Sequence, residues 1–248
     1  YEMQGLSYRE YLELFHGIRF PVCTLQQLLR QEVEMPEGFL PLQHFSDYLQ
    51  KGYYPFADGD INQYIQQVVN ATIETDIPQY ADLSVATARK LKRLLAIIAQ
   101  SAPFKPNMTQ IGGQLEVSRN SIAELCVYLE KAGLIGQLRT STGGIQGLGK
   151  VDKIYLDNTA LIYTLGNRNV EIGTVRETFF FNQTRFLFSV ATSPISDFLI
   201  DEKYTFEVGG KKKKQSQLQN IENGYVVKDD IETGYGNIIP LWMFGMLY

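Results

Sequence analysis

Acidic and basic side chains in the C-terminal third have the types and spacing of a metal-dependent site. Asp197 and Glu207 lie in two short segments rich in β-forming residues, so neighbouring strands would bring their carboxylates together. Such a pair can hold Mg²⁺ or Mn²⁺ through oxygen ligands. Lys211 follows, and a nearby ammonium can stabilise the negative charge that develops during phosphodiester hydrolysis. Glu177, on a preceding helix, can add a third carboxylate.

The position of Lys211 leaves two interpretations of this site open. Nucleases of this chemistry usually carry lysine two residues after the glutamate, and Gly209 stands there in this chain. Strand alternation puts Glu207, Gly209 and Lys211 on one face, with Lys211 about 7 Å further along if the strand continues. Because the glycines can end or bulge the strand, a nuclease-like fold with a degenerate site is the alternative to active chemistry. The lysine run 211–214 attracts phosphate in either case, or is a solvated face.

Residues 86–156 have the order of elements found in a winged helix. Helix Thr87–Ala99 precedes a short helix that starts at Asn107, and Ser118 can cap a third helix with an apolar stripe through Leu129. Gly133 ends this third helix, and two extended segments follow on either side of a glycine-rich stretch. Helix, helix, turn, helix and hairpin together predict a winged helix-turn-helix.

The predicted recognition helix and hairpin carry side chains that suit DNA. Reading DNA requires polar side chains at base edges and cations at phosphates. The residues of these types are Arg119, Asn120, Ser121 and Lys131 on the helix, and Arg139, Lys150 and Lys153 around the hairpin. Glu124 and Glu130 on the same helix oppose phosphate, so a winged helix that binds protein is the alternative.

The glycine-rich stretch of the hairpin matches part of a nucleotide-binding motif. Gly144 to Lys150 has the spacing of a phosphate-binding loop, which also needs Ser or Thr next and a helix after it. Val151 follows instead, and the segment DKIYL is typical of a strand. The flexible wing of a winged helix explains these glycines better than nucleotide binding does.

Amino-acid composition excludes several classes of protein and of site. With 44% hydrophobic and 20% charged residues, the chain resembles an ordinary globular protein. The net charge of −4 means that a nucleic-acid binder must concentrate its basic residues locally. Two distant cysteines and two histidines, His16 and His44, favour neither a disulfide framework nor a zinc site nor a catalytic triad. Without a signal peptide or membrane span, a cytoplasmic location is predicted, and the initial Tyr suggests a processed or truncated chain.

The remaining patterns complete a multidomain α+β organisation. Residues 1–85 are predicted to be helical: Ser7 and Glu10 form a capping-box pattern, and a third helix starts near Asp60 and ends before Pro78. Aromatic residues 53, 54 and 56 are candidates for a binding patch or for packing. Residues 86–156 form the winged helix. Residues 157–248 form a small α/β domain with a long helix at 171–187 and several short strands, the last at 238–244.

The order of several segments resembles a known family. They are GLSYREYLEL, FSDYLQKGYYP, IETDIPQY, LEVSRNSIAELCVYLEKAGLI, KIYLDNTAL, GTVRETFFFNQ and SDFLIDEKYTFEVGGKKK. This series resembles the C-terminal half of bacterial and archaeal AAA-type ATP-binding proteins, which join an N-terminal P-loop ATPase domain to a C-terminal domain of unknown function.

The resemblance implies that ATP binding and the functions of this chain belong to different domains, which composition does not reveal. ATP and Mg²⁺ would bind in an N-terminal ATPase domain outside this chain, which would be its partner. The last domain would be similar to PD-(D/E)XK restriction-endonuclease-like folds, with Asp197 and Glu207 at the acidic positions and Glu177 as the helix acid. The family commonly has Glu-Val-Lys where this chain has Glu-Val-Gly-Gly-Lys. Three functions follow as hypotheses: a DNA-associated regulatory and targeting region, a metal-dependent nuclease, and a protein-interaction module that assembles homo-oligomers.

Overall fold

The fold combines helices with one mixed β-sheet. The computed structural model describes residues 4–56, 59–81, 84–101, 105, 107–141, 149–166, 170–214, 218 and 221–248. Within these residues, seven strands form a single sheet in the order β2-β1-β3-β4-β5-β6-β7. The α+β class expected from the sequence is therefore confirmed.

The N-terminal region is helical, as the sequence predicts. Its helices are α1 (Tyr8–His16), α2 (Leu25–Leu29), α3 (Pro41–Asp47), α4 (Ile61–Ala71) and α5 (Ile77–Ala81). The expected capping box is present at α1, where the Ser7 side chain accepts from the Glu10 backbone N–H and the Glu10 carboxylate accepts from the Ser7 N–H. These reciprocal bonds satisfy two backbone donors that a helix start leaves unpaired.

The third helix continues further than the sequence predicts. It was expected to end before Pro78, but α4 passes through a π-helical turn, Thr72–Asp76, into α5. Proline cannot donate the helical hydrogen bond and its ring crowds the preceding turn. The wider π-helical turn accommodates Pro78, so the proline changes the helix locally and does not stop it.

The next elements follow the predicted helix-helix-helix-hairpin order. They are α6 (Val85–Ser101), α7 (Met108–Leu115), α8 (Arg119–Lys131), β1 (Ile135–Thr140) and β2 (Val151–Leu156). Asn107 and Ser118 cap α7 and α8 through their side chains, as expected. Strands β1 and β2 pair antiparallel, and a strand does follow Lys150. Residues 142–148, which hold most of the glycine-rich motif, lie outside the described residues.

The C-terminal elements extend the sheet on which the carboxylates lie. They are α9 (Thr159–Leu165), α10 (Ile172–Arg185), β3 (Val190–Thr192), β4 (Phe198–Ile200), β5 (Tyr204–Gly209), β6 (Gly224–Lys228) and β7 (Ile238–Pro240). Strands β3, β4 and β5 are antiparallel neighbours, whereas β6 and β7 run parallel to β5. The segment expected to be a strand from 238 to 244 turns into a 3-10 helix, Leu241–Met246, because Pro240 ends the ladder.

The hairpin and the later strands belong to the same sheet. β1 pairs with β3 in parallel, with Arg139 opposite Ala191. One hydrophobic cluster runs from Tyr8 to Leu247 and includes residues of every region. The predicted boundary at residues 156 and 157 thus lies beside a continuous sheet, and the division into three domains stays a prediction. Among the described helices, none has both the length and the apolarity needed to cross a membrane.

Candidate functional site

The start of α8 presents polar side chains to solvent. Ser118 caps the helix by accepting from the Ser121 backbone N–H at 3.2 Å. The apolar face of α8 is buried, with Leu129 and Ile122 fully inaccessible. Arg119 and Asn120, in the first turn, are exposed. The helix therefore packs through one face and leaves a basic and an amide side chain accessible at its N-terminal end.

The other predicted DNA-contacting residues differ in exposure and in their contacts. Lys131 and Lys150 are exposed. Ser121 is half-buried, and its hydroxyl lies 2.8 Å from that of Ser118. The Arg139 guanidinium lies 3.6 Å from Glu130 and donates to the Gly149 carbonyl at 3.5 Å. Arg139 is thus shared between the hairpin and α8.

The acidic residues of α8 differ in how far their charge is compensated. The Glu130 carboxylate accepts from the backbone and the side chain of Gln137, at 2.8 and 2.7 Å, and also faces Arg139. Glu124 is exposed and accepts from the Tyr128 hydroxyl at 2.6 Å. Glu124 is therefore the acidic side chain that most directly opposes phosphate at this helix.

The three predicted carboxylates come together at the start of β4. Register places Phe198 opposite Phe206, so Asp197 and Glu207 are neighbours across the β4–β5 ladder. The Val208 backbone N–H donates to Asp197 Oδ2 at 2.9 Å, which fixes this carboxylate against β5. Glu177 approaches from the middle of α10 and shares a lysine with Asp197. The structure therefore brings the two strand residues side by side, and their role in a metal-dependent site stays a prediction.

The lysine between these carboxylates is Lys153 of β2. Its Nζ lies 3.1 Å from Glu177 Oε2 and 3.7 Å from Asp197 Oδ1. Burial acts to lower the pKa of Lys153, but Glu177 and then Asp197 and Asp152 outweigh burial and raise it. The ammonium is therefore held in its charged form. Lys153, expected to contact DNA, is instead engaged inside the protein.

A second lysine reaches Glu207 from beyond β5. β5 ends at Gly209, and Lys211 is exposed past its end, whereas the Lys213 ammonium forms an ion pair with Glu207. A Cβ at Gly209 would lie 2.7 Å from Lys213 Cδ, so the glycine makes room for this side chain. Ser196 donates to Glu207 Oε2 at 2.5 Å. The lysine that pairs with Glu207 is therefore Lys213.

The surroundings of Asp197 disfavour its negative charge. Burial is the largest cause of a raised pKa at this carboxyl, and the charge of Glu177 adds to it. The hydrogen bond from Val208 and the Lys153 ammonium lower the pKa, without cancelling the increase. The cluster thus has more carboxylate charge than its lysines neutralise.

These residues do not fit the Mg²⁺ or Mn²⁺ that their types and spacing predict. Such an ion is usually held by one or two carboxylates whose oxygens face it, with water molecules completing its six ligands. Lysines and hydrogen-bond donors already engage Glu177, Asp197 and Glu207. Across the described ranges, no group of three or more His, Cys, Asp or Glu could hold a metal ion.

A cleft of about 1220 Å³ separates part of the helical region from the hairpin. The predicted aromatic patch lies here: Phe56 is 62% exposed, whereas Tyr53 is buried. At the cleft wall the buried Asp157 carboxylate pairs with Arg185, whose guanidinium lies 4.5 Å from the ring centre of Phe186. The patch therefore contains both packing and accessible aromatic side chains.

Sequence reasoning did not predict that Lys153 and Lys213 contact these carboxylates, and the reason differs between the two lysines. Lys153 and Tyr155 are two residues apart on β2, so their side chains lie on the same face, and both contact Glu177. That spacing was the available signal. Lys213 lies past the end of a strand in a run of four lysines, where spacing does not distinguish one ammonium from the next.

Comparisons with known proteins give one family match. Residues 42–171, just over half of the 248, match the model of a family described as a domain of unknown function (DUF8612). No curated protein and no solved structure matches significantly. The matched stretch contains α8, the β1–β2 hairpin and Lys153, but none of Glu177, Asp197 and Glu207.

Proposed function

We propose that this chain, which belongs to the family of a domain of unknown function (DUF8612), is a DNA-associated regulatory and targeting region of an AAA-type ATPase. ATP binding and hydrolysis, with Mg²⁺, would take place in an ATPase domain outside these residues. The chain would use the end of α8 and the β1–β2 hairpin to place that ATPase on DNA.

The exposed first turn of α8 is the observation that carries this proposal. Arg119 and Asn120 are accessible there, while the opposite face of the helix is buried. Recognition helices of winged helices and helix-turn-helix domains meet base edges with their N-terminal residues. Arg119 suits a phosphate or guanine, and Asn120 suits adenine. Exposed Lys150, beside the hairpin loop, suits a backbone contact.

A protein-interaction module that assembles homo-oligomers is the competing function. It is favoured by Val127, which is 38% exposed on α8, and by Glu124. An apolar and acidic helix face suits a protein partner better than phosphate. The two functions differ in one measurable way, because only DNA binding depends on Arg119 and Lys150.

Variants separate the two functions. Fluorescence anisotropy of a labelled duplex in EDTA would compare the wild type with the Arg119→Ala, Lys150→Ala double variant. Loss of two phosphate contacts should weaken binding by about tenfold and reduce the salt slope by about two. Arg19→Ala is the matched control, because Arg19 is highly exposed on the helical region and pairs only with Glu13 among the ion pairs of the described chain. Equal affinity of the double variant and the wild type would refute the proposed surface.

A further inference from the structure

The carboxylate cluster of Glu177, Asp197 and Glu207 contains its own cations. The Lys153 ammonium lies between two of these carboxylates, 3.1 Å from Glu177 and 3.7 Å from Asp197. The Lys213 ammonium pairs with Glu207. The carboxylates come from α10, the start of β4 and β5, and the lysines come from β2 and the segment after β5, so five parts of the chain meet here.

Hydrogen-bond donors also contact the three carboxylates of the cluster. The Tyr155 hydroxyl donates to Glu177 Oε2 at 2.7 Å, and the Val208 N–H donates to Asp197 Oδ2 at 2.9 Å. Ser196 donates to Glu207. Each carboxylate thus contacts an ammonium and a hydrogen-bond donor, as buried charges normally do, but Glu177 and Asp197 share the single ammonium of Lys153.

Because these ion pairs are mostly buried, their electrostatic interactions are strong. The side chains of Lys153, Glu177 and Asp197 are only 15%, 18% and 19% exposed, so water screens them weakly. Removing one partner of such a pair leaves an uncompensated charge that water cannot reach. A cation of the right size would then be strongly attracted to the space that the ammonium had filled.

We propose that the ammonium groups of Lys153 and Lys213 take the place of a divalent cation in this cluster. The cluster fastens β2 of the hairpin to α10 and to the start of β4, and does not bind metal. This role is independent of the DNA association proposed above. It has a specific consequence: the wild type does not bind Mn²⁺ at Asp197, and removal of the Lys153 ammonium creates a divalent-cation site there.

Mn²⁺ titration of the purified chain tests this inference. Free Mn²⁺ is measured by its electron paramagnetic resonance signal in the presence of the wild type, Lys153→Met or Lys213→Met. Lys150→Met, an exposed lysine three residues before Lys153, is the control. We expect Lys153→Met to bind Mn²⁺ at least about tenfold more tightly than the wild type and the control. Asp197→Asn in the Lys153→Met background should abolish this gain.

Two results would overturn the proposal. The first is Mn²⁺ binding by the wild type that Asp197→Asn abolishes, because the lysines would then not exclude the ion. The second is a folded Lys153→Met protein with no gain in affinity. If Lys153→Met does not fold, Lys213→Met decides, because Lys213 is a third exposed and tolerates replacement better. An increase in its Mn²⁺ affinity and in its Tm on adding Mn²⁺ supports the inference, and no change contradicts it.

Discussion

Asp197 carries a charge that its neighbours compensate only in part. Glu177, Asp197 and Glu207 supply three carboxylates, and Lys153 and Lys213 supply two ammonium groups. The pKa of Asp197 is raised, first by burial and then by the charge of Glu177, as expected for a carboxylate whose charge is not fully compensated. Groups held in unfavourable charge states are common at functional sites and in structural charge clusters alike.

Asp197→Asn should stabilise the protein at neutral pH. Asparagine keeps an acceptor for the Val208 N–H and removes the excess charge. A rise of about 2–4 °C in Tm is the scale of one stabilising substitution in a chain of this size. Thermal unfolding at pH 7.5 would measure it, with exposed Asp76→Asn as the control. A lower Tm for Asp197→Asn would mean that the two lysines and the hydrogen-bond donors compensate all three carboxylates, so that the cluster has no excess negative charge.

His16 stacks on His44, and protonation of His16 should oppose folding. Their ring centres are 3.9 Å apart and the rings are nearly parallel. Burial lowers the pKa of His16, the charges of His44 and Lys51 lower it further, and Asp47 opposes them. The folded pKa is thus below the unfolded one. His16 therefore contributes stability that is present above the unfolded pKa and is lost as pH falls through the folded pKa.

Replacement of His44 tests the predicted loss of stability at low pH. We expect the Tm of the wild type to fall more between pH 7 and pH 5 than the Tm of His44→Gln, because the variant lacks the charge of His44 that lowers the pKa of His16. Differential scanning calorimetry at the two pH values measures both. Parallel pH dependence of the two proteins would show that His44 does not lower the pKa of His16.

At the scale of elements, β1 is held against α10 by a close contact at Gly136. A Cβ at this position would collide with the Arg185 guanidinium and lie 2.8 Å from Phe181 Cε1. Arg185 cannot move freely, because it pairs with the buried Asp157 carboxylate. The ion pair between Arg185 and Asp157 therefore requires a residue without a side chain at position 136 of β1.

Gly136→Ala should lower the free energy of unfolding by about 1–3 kcal/mol, the usual result of overpacking. Urea denaturation measures the change. Gly113→Ala is the matched control, since nothing lies within 4 Å of a Cβ there and alanine favours the α7 helix. If both variants were equally stable, Arg185 would have an alternative position that keeps its pairing.

Elements with strong local signals were predictable from the sequence. Capping residues Ser7, Asn107 and Ser118 all act as expected, because a cap depends only on side chains within one helical turn. α9 and β3 were not predicted. α9 has only seven residues, and β3 has three that gain their strand conformation from pairing with β1 and β4. Such short elements are determined by tertiary contacts and not by local pattern.

The candidate site was predictable to a similar extent. Strand alternation and spacing placed Asp197 beside Glu207, since these depend on adjacent strands. The cations were not predictable, because Lys153 belongs to a hairpin that the sequence placed in another domain. Its contact requires the parallel pairing of β1 with β3, a long-range event that no local pattern specifies.

At the scale of the whole molecule, the shared sheet predicts cooperative unfolding of residues 86–248. The only tryptophan of the chain, Trp242, is buried beside α3 and α10, far in sequence from the hairpin. We therefore expect its fluorescence and the far-ultraviolet circular dichroism to follow the same urea transition. Two separated transitions would instead indicate that the hairpin region and the C-terminal region unfold independently.

Association of this chain with DNA is tested most directly by a salt titration of the wild type. Fluorescence anisotropy would give the affinity for a labelled duplex at several salt concentrations in EDTA, which removes any metal-dependent contribution. We predict binding that weakens steeply as salt increases, because each phosphate contact releases counterions. A chain that does not bind the duplex even at low salt would contradict the proposed DNA association and would place α8 in a protein interface.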